Sequence, residues 1–145
     1  MKITICSVGS KSSPDVQSML DTYAKRMPHV TIRWNYISSR PNSSIADEAE
    51  AILKNIPDSS RVILLDETGD ALTSPQWSEK LYSTAQDTVI IIGGAHGVDQ
   101  SVFERADAVW SLSKLVFPHQ IVRIILAEQL YRAWTIHIGH PYHHS

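Results

Sequence analysis

Arg61-Val62-Ile63-Leu64-Leu65-Asp66 and Thr88-Val89-Ile90-Ile91-Ile92, with Thr73-Ser74-Pro75-Gln76 between them, decide the fold of this chain. Both apolar runs lack the alternation of a half-exposed strand. They suit strands buried on both faces, as in a parallel sheet covered by helices. The intervening Thr-Ser-Pro-Gln opens a helix, with a hydroxyl cap and a proline in the first turn. Outward from this strand-helix-strand unit the same alternation continues. Lys2–Val8 reads as a strand stopped by Gly9, and Ser13-Pro14-Asp15 begins a helix carrying Val16, Met19, Leu20 and Tyr23. Residues 30–37 form a second strand, 38–44 a polar loop, and 45–56 a helix with Ala46, Ala49, Ile52 and Leu53 on one side. A short helix over 99–106 and a strand over 108–112 follow. Pro118 then introduces a long helix in which Ile121, Ile124, Ile125, Ala127, Leu130 and Trp134 recur at three and four. Strand-helix alternation of this kind predicts an α/β fold.

With 145 residues and neither repeat nor low-complexity tract, the chain is read as a single domain over 1–145. Hydrophobic content of 43% and charged content of 19% are those of a globular protein. No apolar run approaches the roughly 20 residues that span a bilayer. The segment Met1-Lys2-Ile3-Thr4-Ile5-Cys6 lacks the features of a signal peptide, so a cytoplasmic address with no membrane contact is expected. Cys6 is the one cysteine, which excludes an internal disulfide and a thiolate metal cluster. A net charge of −2 argues against coating nucleic acid through bulk charge. It leaves room for a local RNA site, because five of the seven histidines fall within residues 119–145, beside Arg123 and Arg132.

Ligands of open α/β sheets bind beyond the carboxyl ends of the strands. Two loops there are suggestive. Ile92-Gly93-Gly94-Ala95-His96-Gly97 places three glycines after a buried strand, allowing close backbone approach to a ligand. Ser111-Leu112-Ser113-Lys114-Leu115-Val116-Phe117-Pro118 leads into a helix N-terminus. Neither the dinucleotide fingerprint nor the P-loop is present, since the first turn reads Val8-Gly9-Ser10-Lys11-Ser12.

Taken with the glycine turn, the stretch from Trp110 to His143, WSLSKLVFPHQIVRIILAEQLYRAWTIHIGHPYH, resembles one known family. Its G-G-x-x-G, S-L-S, F-P-H-Q-x-V-R, A-E-Q-L-Y-R-A and H-P-Y-H motifs are similar to those of the SPOUT methyltransferases that modify N3 of a pseudouridine in 23S ribosomal RNA. The first half matches more loosely, through Val8-Gly9 and Leu65-Asp66-Glu67-x-Gly69.

The resemblance implies a parallel-sheet α/β-knot fold whose C-terminal part threads a trefoil knot, against the general rule for chain topology. It implies S-adenosyl-L-methionine as cofactor, a homodimer with the RNA pocket shared between subunits, and action on helix 69 of assembled ribosomes. By motif, Leu65 lines the adenosine side and Gly94 offers backbone, while Ser113, Lys114, Leu115, Val116, Phe117 and Pro118 wrap the cofactor. Tyr142 and His143 are expected to position or deprotonate the base, with Arg132 and Arg123 holding phosphate or base carbonyls. Three departures stand out: Ala95 where proline is frequent, His96 where an acid or aromatic is common, and His144 where many members carry arginine or lysine. The last bears on RNA affinity.

Blander readings accompany these assignments. Glu128 and Arg132, at i and i+4, make an ordinary surface pair on a generic helix. Tyr131, Trp134, Trp77 and Trp34 read as core or dimer contacts, and His119 as a structural residue at the helix start. His137-x-x-His140-x-x-His143-His144 invites a metal, but Pro141 interrupts any helical face and the chemistry needs none, so no metal is expected. Two other functions stay in view: a ribosome-binding protein without turnover, and a related enzyme acting on transfer RNA.

Overall fold

The computed structural model describes residues 1–144. Five strands, β1 (Lys2–Val8), β2 (Thr31–Ile37), β3 (Arg61–Ala71), β4 (Thr88–Ile92) and β5 (Ala108–Ser111), form one sheet in the order β2-β1-β4-β3-β5. Every pairing is parallel. Helices α1 (Pro14–Lys25), α2 (Ile45–Lys54), α3 (Ser74–Leu81), α4 (Gln100–Arg105) and α5 (His119–Ile138) make the crossovers.

The unalternating runs are explained by two cores. Side chains of successive strand residues point to opposite faces. Ile3, Ile5, Ile63, Ile90 and Ile92 enter one core with Trp77 and Leu81 of α3 and Leu126, Leu130 and Ala133 of α5. Cys6, Val8, Val62, Leu64, Val89 and Ile91 enter the other with Ala49 and Ile52 of α2 and Val102 of α4. Each strand residue therefore meets helices on whichever side it faces.

Helix starts follow local chemistry. The hydroxyls of Ser44 and Thr73 accept from the backbone of Asp47 and Gln76, whose side chains return the bond, giving two reciprocal caps. Asp99 caps α4 through Ser101. Ser13 precedes α1 but makes no side-chain cap bond; Pro14, which needs no amide partner, opens that helix.

Two expectations need correction. β3 runs past Asp66 to Ala71, because Trp110 pairs with both Leu65 and Asp70 across a register shift. Gly69 is what permits it: a Cβ there would lie 2.6 Å from the Val109 carbonyl oxygen. The expected apolar stripe of α5 is also displaced. Arg123, Leu126, Ala127, Leu130, Tyr131, Ala133 and Thr135 are buried, whereas Ile121 is 46% exposed. A helix apolar on most sides carries no unique face in its sequence. The choice is made by α1, α3 and the sheet.

Candidate functional site

The sheet order makes the chain cross the carboxyl edge of its own sheet. β5 lies at one margin, yet the start of α5 sits near the end of β1, where Gln120 accepts from the Ser13 amide at 3.2 Å. Residues 112–118 consequently pass over the carboxyl ends of β3 and β4. Beneath this strap lies a cleft of about 340 Å³, within the range of small-molecule sites.

Leu65, Gly94, Ser113, Leu115, Val116 and Phe117 all line that cleft. Lys114 and Pro118 are exposed and do not line it. His119 and Val122 of α5 close one side, and Asp66 and Glu67 stand at the bulge of β3. Asp66 accepts from the amide of Thr68 at 2.9 Å, which fixes the bulge. Apolar walls with two carboxylates at the mouth fit a flat heterocycle carrying hydroxyls and positive charge.

The glycines line the cleft and are also set by packing within the fold. A Cβ on Gly93 would lie 2.5 Å from Val98 Cγ1, and one on Gly94 would lie 3.1 Å from Val8 Cγ1 and 3.2 Å from Glu48 Oε1. Gly93 leaves no room for a side chain, whereas at Gly94 a neighbour would have to give by a few tenths of an ångström. Gly97, with φ of +82°, turns the chain back onto Gly94 and leaves its own side open.

Tyr142, His143 and Arg132 form a second group. The tail after α5, reversed at Gly139 in the left-handed region, folds back along the last turns of that helix. Glu128 is its centre. Glu128 Oε1 accepts from Arg132 Nε at 2.9 Å and Nη2 at 2.6 Å, and from the Tyr142 hydroxyl at 3.2 Å. Arg132 Nη1 reaches His143 Nδ1 at 3.1 Å, and its guanidinium lies 4.8 Å from the Tyr142 ring centroid. The hydrogen bonds that Arg132 donates to Glu128 hold its pKa above the ordinary value. Desolvation first, then the Glu128 charge, pushes the Tyr142 phenol up.

Tyr131 packs edge-on against Tyr142 at 4.7 Å and near Tyr23 of α1 at 5.9 Å, with the Arg26 guanidinium 5.7 Å from both Tyr23 and Tyr131. Sequence reasoning missed Glu128 as an organiser, along with Tyr23 and Arg26. The i,i+4 spacing of Glu128 and Arg132 was legible; the return of Tyr142 onto it was not.

Arg123 does not join this group. It is 1% exposed, donates from Nε to Ser7 Oγ at 3.0 Å and from Nη1 to Ser12 Oγ at 3.3 Å, and lies 4.7 Å from the Tyr36 ring centroid. Buried under the β1 end, it cannot hold RNA phosphate as expected. Burial lowers its pKa, with partial relief from Tyr36.

The structure does not bring the cleft and the tail group together within one chain. His119 and Arg132 are separated by thirteen helical residues, about 20 Å at 1.5 Å per residue. A wider depression of about 840 Å³ beside β2, with Arg40, Asp47 and Glu48 in its wall, is the weaker candidate. Asp47 is committed to the α2 cap and Glu48 accepts from Ser39 Oγ at 2.7 Å. Among the described residues there is no cluster of three metal-ligating side chains, and no helix is long and apolar enough to cross a membrane.

Comparison with known proteins agrees with this geometry. Residues 1–143 match the family model described as "Predicted SPOUT methyltransferase". A protein of Polynucleobacter asymbioticus named "Ribosomal RNA large subunit methyltransferase H" is 44% identical over 147 residues, covering 99% of each chain. Proteins of the same name from Teredinibacter turnerae and Hydrogenovibrio crunogenus are 42% and 38% identical, again over 99% of each chain. Among solved structures, a probable methylase family protein from Haemophilus influenzae superposes with a TM-score of 0.62 at 15% identity, over 99% of this chain and 70% of that one, which bears on fold alone. A five-stranded parallel sheet, a cleft strapped at its carboxyl edge and full-length matches converge: this chain belongs to the SPOUT methyltransferase family.

Proposed function

We propose that this protein methylates large-subunit ribosomal RNA, and that its acceptor is N3 of a pseudouridine in helix 69 of 23S RNA on the assembled ribosome. The observation that carries the reading is the strapped cleft, together with full-length similarity to large-subunit rRNA methyltransferases. S-adenosylmethionine supplies an activated methyl group on a sulfonium, whose positive charge suits a cleft with Asp66 and Glu67 at its mouth.

Leu65, Leu115, Val116 and Phe117 would enclose the adenosyl group and exclude water, with the backbone at Gly94 and Ser113 bonding its edges. Lys114 and Pro118 act by holding the strap. The knot implied by the family would give that strap its rigidity. Tyr142, His143 and Arg132 would receive the base, and alignment of acceptor nitrogen and methyl carbon supplies much of the acceleration.

The separation along α5 supports a homodimer, in which the tail of one copy lies over the cleft of the other. Leu115 at 70%, Val116 at 85% and Ile121 at 46% exposure provide apolar surface at the cleft rim for such a contact. A cytoplasmic location follows from a ribosomal substrate.

Labelled methyl transfer from S-adenosylmethionine to ribosomes lacking the modification, followed by nucleoside mass spectrometry, tests the reading. N3-methylpseudouridine is the expected product. Intact cofactor binding with no transfer would replace it with a non-catalytic ribosome binder or another RNA substrate.

A further inference from the structure

The hydrogen-bond polarity of the tail group constrains what it does to a proton. A guanidinium donates only, so in the 3.1 Å contact between Arg132 Nη1 and His143 Nδ1 the ring nitrogen must accept. An imidazolium would set N–H against N–H there, so the contact is matched by the tautomer that carries its proton on Nε2, an atom with no protein partner among the described residues.

The neighbours are equally committed. The Tyr142 hydroxyl donates to Glu128 Oε1, and the carboxylate can only accept. Both Glu128 oxygens are engaged, Oε1 by Arg132 and Tyr142 and Oε2 by Gln129 Nε2 at 2.8 Å. His140 Nδ1 accepts from the Tyr142 amide at 3.2 Å. From α1, the groups facing the cluster are the Tyr23 phenol and the Arg26 guanidinium. His144, exposed, ends the set.

Resting on the methyltransferase reading above, we propose that the tail holds no general base: Arg132 and the Nε2–H of His143 are a donor pair that binds the deprotonated imide of the acceptor base, and the N3 proton leaves to solvent. An imide nitrogen between two carbonyls spreads its charge onto both oxygens once its proton is gone. Donors fixed beforehand at those oxygens favour that anion over the neutral base. The step balances as follows. Water or hydroxide takes the N3 proton, the N3 electron pair forms the bond to the methyl carbon, and the carbon–sulfur pair returns to sulfur as a neutral thioether.

Nitrogen-15 NMR of the cofactor-free protein reads the His143 tautomer directly. The Nε2–H form at neutral pH is expected; an Nδ1–H form or an imidazolium overturns the proposal. Kinetically, His143→Gln keeps one donor and one acceptor but cannot carry a proton away, and should stay within about threefold of the parent. His143→Ala should lose about 30-fold or more. Rates of the parent, His143→Gln and His144→Ala should rise together, about tenfold per pH unit through neutrality, as the imide itself ionises. If His143→Gln is as poor as His143→Ala, or if either the glutamine or His144→Ala variant abolishes an inflection present in the parent, the proposal fails. Absence of transfer by the parent would sink the methyltransferase reading and leave the tautomer result standing.

Discussion

Arg123 and Arg132 lie on one helix, two and a half turns apart, and meet opposite circumstances. Arg123 is 1% exposed and has serine hydroxyls and a tyrosine ring for company, with no ion pair to a carboxylate recorded among the described residues. Arg132 keeps about a quarter of its side chain exposed and is gripped by Glu128 on one edge while its other edge reaches His143. The first ties the end of α5 to β1 and to the turn before α1, across more than a hundred residues of chain. The second presents charge outward. One residue type thus serves as a buried internal tie in one place and as a partly exposed, ion-paired group at the tail in the other, and the partners decide which.

The sharpest way to break the contrast is to truncate both. Arg123→Ala leaves Ser7 and Ser12 without their donor and opens a cavity under the β1 end. We expect a loss of about 3 kcal/mol in a urea unfolding curve. Arg132→Ala removes a partly exposed pair and should cost under about 1 kcal/mol of stability. Its effect falls on turnover, where losing a charged donor should cost about 100-fold. Comparable stability losses in the two variants would abolish the distinction.

At the cleft, Gly94→Ala provides a finer probe. The new methyl would press on Val8 Cγ1 and the Glu48 carboxylate at 3.1 and 3.2 Å, so one of them must give way. A cost of about 1–2 kcal/mol is expected, together with weaker S-adenosylmethionine binding by calorimetry. Unchanged stability would mean that Glu48 swings aside freely.

A last effect concerns alkali. Burial pushes the Cys6 thiol up to about 11 from 9.0 and the Tyr82 phenol up to about 12 from 10.0. Each folded value lies above the unfolded one, so the neutral form is favoured by folding. That stability is fully present below pH 9 and is lost as pH rises through 11 for Cys6 and through 12 for Tyr82. Cys6→Ala should remove the lower part of the decline in unfolding curves taken from pH 9 to 11. Methyl transfer should still be rising where this decline begins, which separates the body of the protein from its tail.

Much of the architecture was legible because it rests on local signals. The two apolar runs, the Ser44 and Thr73 caps and the prolines at 14, 75 and 118 act within a few residues of themselves. The family resemblance implied eight cleft positions, of which Leu65, Gly94, Ser113, Leu115, Val116 and Phe117 line the cleft, while Lys114 and Pro118 are exposed and do not. What failed depended on distant partners. The true buried face of α5, the β3 bulge at Gly69 and the burial of Arg123 each rest on contacts with residues far away in the chain.

By itself the sequence determined a doubly covered α/β sheet, its helix starts and a family signature dense from Ile92 onward, since patterning and capping are short-range properties. Only the tertiary structure decided that the strap crosses the sheet edge, that Glu128 gathers Arg132 and Tyr142, and that His143 accepts from an arginine. Those outcomes depend on which surfaces meet once β5 is placed at one margin and α5 returns beside β1, and on the direction of hydrogen bonds that no periodicity encodes.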